Sequence, residues 1–169
     1  MARRSLEKAS GVRRCATISP MLQPGLPQRE TTAGGATNAS HSFNAQNTPY
    51  TALGGDEAVR ALVTTFYDTM DRESAFVSIR ALHKPSLDEA REKLYEFVCG
   101  WLGGPPHYEK KYGHPRLRGR HMPFPIGEAE RDLWLACMKS ALDERGVSGE
   151  IRAFLDQRFA HVANFMRNV

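Results

Sequence analysis

Gly113-His-Pro-Arg-Leu-Arg-Gly-Arg-His-Met-Pro-Phe124, followed after two residues by Gly127-Glu-Ala-Glu-Arg-Asp-Leu-Trp-Leu-Ala-Cys-Met138, is the stretch on which the fold turns. Its first half sits in a proline- and glycine-rich segment, residues 105 to 126, where any helix must be short. Its second half places Leu133, Trp134, Cys137, Met138, Ala141 and Leu142 at helical spacing, with Arg145 in the last turn and Gly146 as the stop. His107, His114 and His121 recur every seven residues, which on one continuous helix would line a metal-binding face. Gly113, Pro115 and Gly119 forbid that helix, and Cys99 and Cys137 fall on separate helices, so a zinc site loses its geometric warrant. On the residues alone, His121 is an isolated histidine in an irregular segment.

Working outward, apolar periodicity predicts three further helices. One starts after Gly54-Gly55, capped by Asp56, and carries Val59, Leu62, Val63, Phe66, Tyr67 and Met70 on one stripe. Another starts at Ser86, where Ser-Leu-Asp-Glu has the form of a capping box, and carries Ala90, Leu94, Phe97, Val98 and Trp101 up to Gly103-Gly104-Pro105. The last spans about residues 148 to 167, with Ile151, Phe154, Leu155, Val162, Phe165 and Met166 as its stripe. No alternating strand pattern, internal repeat or nucleotide-binding glycine motif occurs, so the fold class is all-α. Residues 1 to 50 have too few apolar positions at any period to bury a face and read as a disordered extension, leaving one domain over residues 51 to 169.

The net charge of +4 belongs to that extension. Arg3, Arg4, Lys8, Arg13, Arg14 and Arg29 stand there against Glu7 and Glu30, and seventeen basic and seventeen acidic residues remain elsewhere. A neutral body offers no footprint for nucleic acid. No apolar run is long enough to cross a bilayer or to serve as a signal peptide. The arginine-rich start is similar in composition to a transit peptide, but Glu7 and the missing amphipathic pattern favour a flexible extension. Cys15, Cys99 and Cys137 form neither a CxxC pair nor an even disulfide framework, which suits a reducing compartment; the expected location is cytoplasmic.

The phrases quoted at the outset resemble the group II truncated haemoglobins. The resemblance covers about residues 54 to 167 and rests on separated motifs in order: Gly54-Gly55, Phe66-Tyr67, Trp101-Leu-Gly-Gly-Pro105, Arg120-His-Met-Pro-Phe124, and Glu130-Arg-Asp132 leading to Trp134. It implies a shortened globin, a two-on-two helical sandwich around haem, with His121 as the proximal iron ligand. Tyr67 and Trp134 then look like the distal pair that bonds the gas, and His83 like the variable distal residue beside them, able to add a third hydrogen bond. Ala90 falls at the gate position, where a methyl group bonds nothing. Leu94, Phe97, Phe124 and Ile126 are the expected apolar walls, Tyr112 and Tyr108 candidates for the haem edge.

The chemistry of these residues suits those roles. A neutral imidazole is a suitable fifth ligand whose other ring nitrogen needs an acceptor. With no CxxCH, the porphyrin is expected to be non-covalent haem b, held by packing and its propionates. Arg116, Arg118 and Arg120 precede His121 at alternate positions; Arg118 is the candidate for a propionate. The expected function is reversible binding of O₂, with CO and NO as competing ligands, for storage, sensing or transport. The alternative is a haem enzyme with peroxidase-like or NO-dioxygenase activity, drawing electrons from an external reductase. A non-haem helical interaction module would leave the His121 phrase as coincidence. Oligomeric state is not legible.

Overall fold

The computed structural model describes residues 43–169. The expected extension therefore lies outside the described residues up to position 42, as do Cys15 and the six basic residues of the extension. Residues 43–50, assigned to the same extension from sequence, are part of the described body. Pro49 and Tyr50 open a short helix, α1 (Pro49–Leu53), whose start is capped by the Thr48 hydroxyl accepting from the Thr51 amide at 3.2 Å. The Tyr50 amide donates to the Leu102 carbonyl at 2.9 Å, and its ring lies against Gly104, where a Cβ would come within 2.5 Å of it. A five-residue helix with one tertiary anchor has no periodicity to read.

The long helices are α2 (Gly55–Arg72), α4 (Asp88–Trp101), α7 (Glu128–Glu144) and α8 (Gly149–Met166), with the short α3 (Val77–Ala81), α5 (His107–Tyr112) and α6 (Leu117–His121) between them. Among the described residues there is no strand. The expected stripe of α2 is the core: Val59, Leu62, Val63, Phe66, Tyr67 and Met70 are all buried, and α2 packs on both α4 and α7 while α7 packs on α8. Pairing α2 with α4 and α7 with α8 gives the two-on-two sandwich. The close apolar packing makes Phe66, fully buried, a residue whose truncation to Ala costs about 3–5 kcal/mol.

Three local expectations change. Asp56 lies within the first turn of α2, where it accepts a short hydrogen bond from the Tyr95 hydroxyl of α4; the cap is Gly54, at φ 115°. Ser86 makes no capping box, because α4 begins two residues later; its hydroxyl accepts from the Asp88 amide at 3.2 Å in a local turn. Phe165, expected on the buried stripe of α8, is 56% exposed, and Phe159 and Ala163 are buried instead. At the start of α7 only half a capping box exists: Glu130 accepts from the Gly127 amide at 2.9 Å, and Gly127 has no side chain to reciprocate.

Candidate functional site

The segment that sequence leaves irregular divides into α5 and α6, broken by Gly113 at φ 72° and by Arg116, a non-glycine residue at φ 43°. The break sends the three evenly spaced histidines to separate places. His107 stacks on Tyr95, and exposed His114 accepts from the Arg116 amide through Nδ1 at 3.1 Å. His121 is the last residue of α6 rather than a loop residue. Its Nδ1 lies 2.7 Å from the Leu117 carbonyl, one turn earlier. A carbonyl only accepts, so Nδ1 carries a proton, and Nε2 is the nitrogen left to offer a metal its lone pair.

His121 opens into a cleft with about 1140 Å³ of empty space, part of it open to solvent. Tyr67 of α2 and Trp134 of α7 line the same cleft, as do His83, Leu94, Phe97, Phe124 and Ile126. The structure thus brings together eight of the ten residues singled out from sequence. Tyr112 and Arg118 are not among the lining side chains. Tyr112 is part-exposed and packs on Tyr108, which is buried against Phe97. Arg118 donates to the carbonyls of Phe165 and Arg167 at 2.8 and 2.9 Å, so its guanidinium ties α6 to the end of α8.

Other wall residues were missed. Trp101, Phe159, Val162 and Met166 lie along the cleft, with Trp101 and Phe159 ring centroids 5.2 Å apart. The helical period identifies such residues as buried but does not distinguish core from cleft wall. Arg131 also lines it, held by Asp132 at 2.8 Å and Asn164 at 3.1 Å.

The polar groups at the cleft differ in kind. Burial pushes the Tyr67 phenol well above its ordinary pKa, outweighing the opposing charge of Arg91, so it remains a neutral O–H donor. Trp134 is held between Phe66 and Phe159, at 5.3 and 5.7 Å, and its indole can only donate. His83 follows α3 and meets the Tyr67 ring edge to face at 5.7 Å. Its Nδ1 donates to the Ile79 carbonyl at 2.9 Å. Burial above all, then the charges of Arg80 and His121, holds His83 below its usual pKa, so it too is a neutral imidazole with an accepting Nε2.

An apolar cleft with a carbonyl-oriented imidazole and few polar groups fits haem: the walls suit a macrocycle and the free Nε2 suits iron. Among the described residues no group of three or more His, Cys, Asp or Glu is arranged to hold a bare metal ion. No helix among them is long and apolar enough to cross a membrane.

Comparison with known proteins agrees with this geometry. The family model of bacterial-like globins matches residues 48–168. The group 2 truncated hemoglobin YjbI of Bacillus subtilis is 43% identical over 127 residues, 75% of this chain and 91% of that one. The group II 2-on-2 hemoglobin of Agrobacterium tumefaciens superposes with a TM-score of 0.70 at 41% identity, covering 76% of this chain and 98% of the other. A truncated oxygen-avid haemoglobin from Bacillus subtilis superposes with a TM-score of 0.67 at 42% identity, covering 72% and 100%. The chain belongs to the bacterial-like globin family as a group II truncated haemoglobin, a haem protein that binds diatomic gases.

Proposed function

We propose that the protein binds O₂ reversibly, with CO and NO as competing ligands, at a non-covalent haem b held through Nε2 of His121. The haem supplies the iron that takes the gas; the chain supplies its orientation, its apolar surroundings and the hydrogen bonds to the ligand. The observation that carries this reading is the convergence of three side chains from three helices on one apolar cleft: the tied imidazole of His121, the neutral phenol of Tyr67 and the indole of Trp134. O₂ becomes partly anionic when it accepts electron density from iron, and two neutral donors suit that charge. Each such bond contributes about 1.5–3 kcal/mol. The Bacillus subtilis relative described as oxygen-avid supports the choice of gas.

Leu94, Phe97, Phe124 and Ile126 would pack on the macrocycle. Arg131 is better placed than Arg118 to meet a propionate, because Arg131 lines the cleft and Arg118 does not. We place the protein in the cytoplasm, where an external reductase would return oxidised iron to the ferrous form. A visible spectrum of the purified protein, with CO and O₂ titrations of the ferrous form, tests the reading. A Soret band that shifts reversibly with each gas supports it; purified chain with no Soret band, before and after addition of hemin, overturns it.

A further inference from the structure

We propose that His83 is a second iron ligand, whose Nε2 competes with the gas for the metal that His121 holds. The inference rests on the haem reading above. His83 and His121 reach the same cleft from different places, the turn after α3 and the last residue of α6, and they are prepared in the same way. Each ring donates Nδ1–H to the carbonyl four residues earlier, Ile79 at 2.9 Å and Leu117 at 2.7 Å. That arrangement fixes the tautomer and aim of metal-ligating histidines and raises the basicity of the other nitrogen. It also removes the role a distal histidine would otherwise have, because a neutral ring with Nδ1–H committed has no second N–H for a bound gas. Nε2 of His83 can only accept, and the ring stands edge to face with Tyr67 at 5.7 Å.

The backbone beneath His83 is held as a ligand-bearing segment requires. The His83 amide donates to the Arg80 carbonyl at 3.0 Å. Arg80 in turn donates to the carbonyls of Lys84 and Pro85 at 3.0 and 2.8 Å and to Asp71 of α2 at 2.7 Å. The ring is therefore braced on both sides of its own position. Binding of the gas would then be an exchange: the lone pair of His83 leaves the iron and the ligand takes its place, with no change in proton count. If His83 holds the iron in about nine molecules of ten, apparent gas affinity falls about tenfold.

The full chain purified with haem, and the same chain carrying His83→Leu, are compared as gas-free ferrous and ferric proteins. Expected for the unaltered chain are resolved α and β bands of low-spin six-coordinate iron, and CO binding that reaches a plateau in rate as CO rises. Expected for His83→Leu are one broad five-coordinate ferrous band and CO binding about tenfold faster without a plateau. If His83→Leu does not fold, His83→Phe provides the same readout with a ring retained. A five-coordinate spectrum in the unaltered chain overturns the proposal, as does an unchanged six-coordinate spectrum in the variant. Either result leaves the haem reading standing, whereas a chain that takes up no haem removes both.

Discussion

His121 and Leu117 are joined by a hydrogen bond within a helix of five residues, Nδ1 to carbonyl at 2.7 Å. The bond sets which nitrogen faces the cleft, so the imidazole is oriented before any metal arrives. His121→Ala removes the proximal bond of the proposed site and leaves the porphyrin to packing and to whatever hold His83 has on the iron. The expected outcome is protein purified largely without haem, read from the ratio of Soret to protein absorbance; full occupancy with an unshifted band would move the proximal role to another residue.

Tyr67→Phe and Trp134→Phe keep most of the packing and remove one donor each. Release of O₂ should accelerate about tenfold or more in either variant. The double variant should show less than the product of the two effects, since both donors address one ligand. CO carries less charge on its outer atom and should be released at nearly the original rate, so equal acceleration of both gases would point to an opened exit path.

Tyr67 also carries a pH signature. Its pKa is raised in the fold, so above the ordinary tyrosine value of about 10 the unfolded chain has released a proton that the folded chain retains. Its contribution to stability is present below that pH and declines as pH rises beyond it. In alkaline denaturation, Tyr67→Phe should lose less stability than the unaltered chain between about pH 10 and 11.

Gly104→Ala would put a Cβ within 2.5 Å of the Tyr50 ring. The expected cost is about 1–3 kcal/mol, seen as a lower Tm. Combining it with Tyr50→Ala should relieve part of the loss, because the two residues share one contact. Strict additivity would show that Tyr50 does not seat on Gly104.

Removing residues 1–42 should leave the haem spectrum and gas kinetics unchanged, since that segment has no apolar stripe and the family match begins at residue 48. Extending the deletion through Leu53 removes Tyr50 and α1 and should lower Tm by several degrees. A severalfold change in gas kinetics on the shorter deletion would show that the extension acts on the cleft.

The long helices were legible because period and burial coincide: Val59, Leu62, Phe66 and Met70 are spaced for one face, and that face is the core. Local turns were less so. Asp56 reads as a cap but is drawn to Tyr95, a residue 39 positions away whose proximity no local pattern reveals. Phe165 keeps the period but faces outward beneath the Arg118 guanidinium, while the adjoining Met166 is buried. Tyr67, Trp134 and His121, which line one cleft, are singled out in the sequence by separated motifs and not by chemistry visible in any one of them. Arg118 reads as a carboxylate partner from its charge, and no local pattern reveals the Phe165 and Arg167 carbonyls, 47 and 49 residues away, to which it donates.

Those carbonyls belong to a larger closure. Asn168 donates to the carbonyls of His121 and Phe124 at 3.1 and 2.9 Å and accepts from the Ile126 amide at 3.0 Å, across sequence separations of 42 to 47 residues. Through these three bonds the residue after the last helix fastens the chain's end to the segment that carries His121. The aim of the His121 ring is thus shared with the chain's far end, and in Asn168→Ala the amides around His121 should exchange with solvent sooner than in the unaltered chain.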